Sequence, residues 1–201
     1  MSRLFITGGA GFIGSHTSLV LLEKGYDLVI LDSLINSSKI SIERLSKVVF
    51  KNEKNERIKF IKGDIRDKNL LENIFEKATF DNNPFAGVIH FAGLKSVNES
   101  INNPIEYWDN NVFGSLNLFR VMDKYNCKTI VFSSSANIYA KSNDNGKLTE
   151  SSEIRPNNPY GETKAAIEKI LFNISQSSNS QWSIANLRYF NPIGAHFSGL
   201  I

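Results

Sequence analysis

The sequence predicts an α/β fold built on a doubly wound parallel sheet, and three observations carry that prediction. Short apolar runs rich in β-branched residues alternate with longer stretches of helical periodicity along the whole chain. Those runs are nearly continuous rather than alternating, as expected of strands buried on both faces. A glycine-rich stretch, Gly8 to Gly14, stands between the first apolar run and the first helical stretch.

The elements follow in order. RLFIT is the first strand, a helix runs from Phe12 to Lys24, and DLVILD is the second strand. A polar helix near residues 39–50 leads to RIKFIKGD, and the helical stretch DKNLLENIFEKA leads to GVIHFAG. A long helix from about Pro104 to Asn126 precedes KTIVFSSS. The last helix opens at NNPYGETK, with Asn158 suited to cap it and Pro159 to its first turn, and WSIANLRYF is the sixth strand. Right-handed crossovers between these strands place helices on both faces of the sheet. Lys51–Arg57 and Ala140–Asn158 read as surface loops, the second long enough to suggest a functional role.

Composition narrows the function. A hydrophobic content of 41% and a charged content of 21% are those of one soluble globular domain. A net charge of +3, with no basic cluster interleaved with aromatics, argues against a nucleic-acid partner. The single cysteine, Cys127, fits a reducing compartment. With no signal-peptide layout and no apolar stretch long enough to span a bilayer, the expected location is cytoplasmic, with no membrane partner. The glycosylation-like triplets at Asn36, Asn98 and Asn173 then carry no meaning, and His16, His90 and His196 are too far apart for a local metal motif. No metal site is expected.

Gly9, Gly11 and Gly14 satisfy G-x-G-x-x-G, while Gly8, Gly11 and Gly14 satisfy the related G-x-x-G-x-x-G. In either register glycine permits a tight turn and brings a helix N-terminus onto a pyrophosphate. Asp32 ends the second strand 18 residues after Gly14, where a carboxylate accepts the adenosine ribose hydroxyls and repels a 2′-phosphate. The expectation is a Rossmann-type NAD-binding fold that prefers NAD to NADP. Asp64 ends the third strand, where it can meet the adenine or cap a helix. Phe91, Ala92 and Gly93 end the fourth, where small residues leave room for the cofactor.

At the other end of this rim Ser133, Ser134 and Ser135 leave the fifth strand, and Tyr160 and Lys164 lie one helical turn apart. T-G-x-x-G-x-x-G, a strand-end serine and Y-x-x-x-K together resemble the extended branch of the short-chain dehydrogenase/reductases. Within it the chain is similar to the UDP-glucose 4-epimerase family, on the blocks TGGAGFIGSH, LDSLINS, GDIRD, IHFAGLKSVNES, YWDNNVFGSLNL, FSSSANIYA, PYGETK and LRYFNPIGAH. The resemblance implies Tyr160 as catalytic base, Ser135 as its hydroxyl partner and Lys164 as a ribose-binding, electrostatic residue. It implies cofactor contacts at Gly8, Gly11, Phe12, Ile13, Gly14, Asp32, Ser33, Leu34, Ile35, Asn36, Ser37, Asp64, Ile65, Phe91, Ala92, Gly93, Leu94, Lys95, Asn110, Tyr160, Lys164 and Phe190. Substrate contacts fall to Lys95, Ser135, Asn137, Tyr160 and Asn191. The family pattern usually reads S-S-A-T-V-Y-G where this chain has SSANIYA. Asn137 adds bulk near the sugar, and Ala140 would be strained if its position needs a positive φ.

The implied reaction removes the proton of the sugar 4-hydroxyl while the C4 hydride moves to NAD. The 4-keto sugar turns over and takes the hydride back on its other face. A phenol of pKa about 10 must drop by ~3 units, worth ~4 kcal/mol, to act as a base near neutrality. A cation at about 4 Å supplies roughly 4 kcal/mol at an effective dielectric of ~20, and Lys164 is expected to be that cation.

Two rivals remain open. A nucleotide-sugar 4,6-dehydratase resembles S-T-D-E-V-Y-G after the fifth strand, and Ala136 and Asn137 carry no proton for elimination. A non-catalytic NAD-binding module has no chemical need to keep Ser135, Tyr160 and Lys164 together. The family resemblance also implies that residues 1–201 form the NAD-binding domain with the catalytic residues. A C-terminal substrate lobe would be absent from this chain, which alone is then expected to turn over poorly. A homodimer in the full-length form, helped by the long helix, is a further implication.

Overall fold

The structure is a computed structural model that describes residues 2–50, 56–140, 147–177 and 180–201. Residues 51–55 and 141–146, which belong to the two expected loops, lie outside the described residues. Six strands form one sheet: β1 (Arg3–Thr7), β2 (Asp27–Asp32), β3 (Ile58–Lys62), β4 (Phe85–His90), β5 (Thr129–Ser135) and β6 (Ser183–Tyr189). Their order is β3-β2-β1-β4-β5-β6, with every neighbouring pair parallel, so the predicted doubly wound sheet is the one observed. The order reverses between β1 and β4, and ligands of such sheets bind beyond the carboxyl ends of the strands at that point.

The strands alternate between two cores. Helices α1 (Phe12–Glu23) and α2 (Lys39–Phe50) cover one face, where Leu19, Leu22, Ile42 and Leu45 pack on Ile6, Leu28 and Ile30. The other face is covered by α3 (Lys68–Phe80), by α6 (Gly114–Lys124) and by α7 (Pro159–Gln176), over Phe5, Val29, Leu31 and Phe132. Burial on both faces explains the continuous apolar runs, and each fully buried large side chain contributes about 1.5–3 kcal/mol. The start of α7 is as read from sequence: the Asn158 side chain accepts the Gly161 N–H at 2.8 Å, and proline occupies the first turn.

The long helix expected from Pro104 to Asn126 is instead composite. A short α4 (Val97–Asn102), capped by Ser96, precedes α5 (Pro104–Tyr107), and a π-helical turn at Trp108–Phe113 joins α5 to α6. The wider π turn brings two successive polar side chains inward, Asn110 and Asn111, at 8% and 1% exposure.

His90, at the end of β4, is 1% exposed and sits between the hydroxyls of Thr7 at 2.7 Å and Ser115 at 2.9 Å. Ser115 donates its own proton to the Asn111 carbonyl, so Nε2 is the protonated ring nitrogen and Nδ1 accepts from Thr7. Burial, and secondarily the charge of Lys164, holds His90 down at about 3. The unfolded chain therefore takes up a proton below pH ~6.5 that the native state refuses, and stability falls on acidification by up to ~1.4 kcal/mol per pH unit until about pH 3. Urea unfolding at pH 7 and pH 5 should show this slope, and His90→Gln should flatten it. An equally steep variant would place the acid sensitivity elsewhere.

Candidate functional site

A cleft of ≈ 550 Å³ opens at the carboxyl ends of the strands, where the strand order reverses between β1 and β4. It is lined by every residue the sequence named for cofactor or substrate, with one exception. Leu34 does not line it. Its backbone turns at φ 62°, its N–H goes to Asp32, and its side chain packs against the α1–α2 core. Ala10, Leu31, Gly63, Ser133, Ser134, Tyr189 and Pro192 also reach the wall. Ser133 and Ser134 were placed at this rim by sequence; the others were not singled out because backbone position, not residue chemistry, brings most of them there.

The glycine loop fits a phosphate approached by backbone. Gly8 lies at φ 70°, and a Cβ there would meet the Ala92 nitrogen at 2.5 Å. A Cβ on Gly14 would fall on the Gly8 carbonyl, so the start of α1 reaches β1 only with glycine there. The cap of α1, Gly11, has no side-chain hydrogen bond, which leaves the first N–H groups open to an anion.

Asp32 is 7% exposed, and three donors hold its carboxylate. Oδ2 accepts the Ala10 N–H at 2.9 Å, and Oδ1 accepts the Leu34 N–H at 2.9 Å and the Ser37 hydroxyl at 2.8 Å. The residue thus ties the glycine loop to the exit of β2 and retains room on Oδ2 for a ribose hydroxyl.

Asp64 is gripped by Arg66, whose Nη2 donates to Oδ2 at 2.8 Å and whose backbone N–H donates to Oδ1 at 2.8 Å. The Arg66 hydrogen bonds hold the Asp64 carboxyl below its usual range. Nη1 of the same guanidinium donates to Glu106 at 2.9 Å and Asp109 at 2.8 Å, joining the exit of β3 to α5 and the π turn that carries Asn110. Arg66 was not recognised from sequence, although GDIRD held the signal: an arginine two residues from the carboxylate it orients.

At the far end of the cleft Ser135, Tyr160 and Lys164 converge. Tyr160 is 8% exposed and Lys164 4%. Lys164 Nζ donates to the Ser133 carbonyl at 2.8 Å, lies 4.8 Å from the Phe132 ring centroid and 5.9 Å from that of Tyr160. Burial brings the Lys164 ammonium down to about 8. Burial also pushes the Tyr160 phenol up, with only the Ser135 hydrogen bond opposing it. This corrects the expectation that Lys164 would draw the phenol down. In the protein alone the ammonium is directed at a backbone carbonyl, and loss of water disfavours both charged forms.

Asn111 locks this corner. Its Oδ1 accepts the Leu94 N–H at 2.8 Å and its Nδ2 donates to the Thr163 hydroxyl at 3.1 Å. Thr163 in turn donates to the Tyr160 carbonyl at 2.7 Å. Sequence reasoning passed over Asn111 in favour of its neighbour Asn110, because only the π turn shows that both face inward. Ala140 is not among the residues at positive φ, so the strain raised from sequence is absent; its N–H bonds the Glu153 carbonyl at 2.9 Å.

Fold and cleft together define a dinucleotide-binding α/β protein of the doubly wound class. The chain belongs to the family described as GDP-mannose 4,6 dehydratase, whose model matches residues 5–199. Its curated relatives include UDP-glucose 4-epimerase 2 of Arabidopsis thaliana, 48% identical over 98% of this chain and 54% of that protein. The UDP-glucose 4-epimerase of Neisseria gonorrhoeae is 47% identical over 98% of this chain and 55% of its own. Among solved structures, a UDP-glucose 4-epimerase from Bifidobacterium longum in complex with NAD+ and UDP superposes with a TM-score of 0.88 at 43% identity, over 100% of this chain and 56% of that one. The resemblance read from sequence therefore stands, and the chain spans about half the length of the relatives it matches.

Proposed function

We propose that this chain is the NAD-binding, catalytic portion of a UDP-glucose 4-epimerase, acting through a transient 4-keto sugar. The observation that carries the reading is the placement of Ser135, Tyr160 and Lys164 at one end of the cleft whose other end is held by Asp32. NAD, when bound, supplies the acceptor and donor of the hydride. Asp32 accepts the ribose hydroxyls, and Asp64, kept ionised by Arg66, accepts from the adenine. Lys164 meets the nicotinamide ribose. Tyr160 takes the proton of the sugar 4-hydroxyl and returns it, while Lys95, Asn137 and Asn191 meet the sugar nucleotide. A homodimer belongs to the same reading, supported by exposed Ile101, Ile105, Trp108 and Phe113 along α4, α5 and the π turn. So do a cytoplasmic location and a place in galactose metabolism.

The family description favours a second reading, dehydration. Against it, the two residues after Ser135 are Ala136 and Asn137, neither of which carries a proton near neutral pH.

Equilibrium binding of NAD and NADP to residues 1–201 tests the cofactor half. NAD should be preferred by at least ~10-fold, since a carboxylate beside a 2′-phosphate costs more than ~1.4 kcal/mol. Asp32→Ala should weaken NAD, by releasing Ala10, Leu34 and Ser37, and should bring the NAD/NADP ratio close to one. An unchanged ratio would assign the ribose to another group. A fusion to the C-terminal part of an epimerase relative should convert UDP-galactose to UDP-glucose, whereas a product lighter by one water would favour dehydration.

A further inference from the structure

Asn137 lies on the short 3₁₀ turn Ala136–Ile138 that follows β5, exposed on the wall of the cleft. Its side chain turns back onto Ser135. The backbone N–H of Asn137 donates to Ser135 Oγ at 3.2 Å, and Nδ2 donates to the same oxygen at 3.1 Å. A serine hydroxyl has two acceptor sites and one hydrogen. With both sites filled by Asn137, the hydroxyl is left with donation as its one remaining role, and the Tyr160 phenol lines the same wall of the cleft. Ser135 is itself 6% exposed, so little water reaches it to compete.

The geometry points to Asn137 as a positioning residue that fixes the Ser135 hydroxyl as a donor to the Tyr160 oxygen. Its role deepens the epimerase reading at one point. A serine with both lone pairs occupied cannot receive the sugar proton and pass it on. The proton therefore moves directly: the O4–H bond breaks as the Tyr160 O–H bond forms, and bound NAD would supply the acceptor for the C4–H electron pair that leaves as C4–O becomes a carbonyl. Ser135 keeps its own proton throughout and stabilises the phenolate that precedes the first transfer and follows the second. An amide is suited to this task because its nitrogen only donates, whereas a hydroxyl at the same place would leave the direction of Ser135 free.

The test needs neither substrate nor cofactor, so its failure is separable from failure of the epimerase reading. Residues 1–201 are labelled with difluorotyrosine, whose phenol titrates nearer neutrality, and the Tyr160 resonance is assigned by its loss in Tyr160→Phe. Fluorine NMR then follows its titration. Asn137→Ala should raise the midpoint by about half to one pH unit, the share of one hydrogen bond. Asn137→Asp should raise it further, because a carboxylate accepts the Ser135 proton and turns it from Tyr160. In a Ser135→Ala background the Asn137→Ala shift should vanish and the Asn137→Asp shift shrink to a through-space effect. Shifts of equal size in both backgrounds, or none in either, would overturn the proposal. Asn137 is exposed, so neither variant should alter the unfolding midpoint, and a matching loss of stability would mark the residue as merely structural.

Discussion

Replacing Tyr160 by phenylalanine is expected to lower epimerisation by about 10²–10⁴-fold while leaving NAD affinity within about threefold of the parent. The substitution keeps the ring of a residue that is 8% exposed, and it keeps the face whose centroid lies 5.9 Å from Lys164 Nζ. Only the phenolic oxygen is lost. On the reading proposed above that oxygen is the proton acceptor, and neither Ser135 nor Lys164, which line the same cleft, can replace it. The Ser135 hydroxyl oxygen already accepts two hydrogen bonds from Asn137, and the Lys164 ammonium is directed at the Ser133 carbonyl. The measurement is UDP-galactose conversion by the epimerase fusion, with NAD titrated in parallel. Wild-type turnover in the variant would remove Tyr160 from the chemistry. Loss of NAD binding in step with activity would instead assign it to the cofactor pocket.

The same corner shows where sequence reasoning reached and where it stopped. Strands β1 to β6 and the start of α7 were legible because apolar β-branched runs and a cap followed by proline leave local marks. Asp32 was legible because its place at the end of β2 follows from spacing to the glycine loop. The composite helix before β5 was not, since a π turn changes the phase of the chain without changing its composition. Asn111 became visible only when that turn had been placed. The direction in which Tyr160 is shifted was also beyond the sequence. It depends on how much water reaches the phenol and on where the Lys164 ammonium is aimed, and both are properties of the packed site. Leu34 shows a smaller limit: a family contact read residue by residue fell on a position whose backbone, not side chain, serves Asp32.

The largest effect on stability is expected from Glu168→Ala, a loss of about 3–5 kcal/mol, seen as a drop of roughly 6–20 °C in Tm. Glu168 is 6% exposed and lies one turn beyond Lys164 and two beyond Tyr160 on the same face of α7. Its carboxylate receives Arg188 Nη2 at 2.7 Å and Nε at 3.1 Å, a two-pronged grip from β6. Arg188 Nη1 also donates to the Tyr139 hydroxyl at 2.9 Å and the Glu150 carbonyl at 3.1 Å. One guanidinium thus fastens β6, α7 and the chain after the 3₁₀ turn to each other. Removing the carboxylate leaves that guanidinium largely buried without its counter-charge, which costs more than the pair itself is worth. Glu168→Leu combined with Arg188→Met should therefore lose less than Glu168→Ala alone, because no charge remains unpaired. Urea and thermal unfolding of the single and double variants measure this. A single-variant loss below about 1 kcal/mol, the range of surface pairs, would mean that water already screens the contact. It would also mean that α7 is held over the sheet by its apolar face, through Ile167 and Leu171, without help from Arg188.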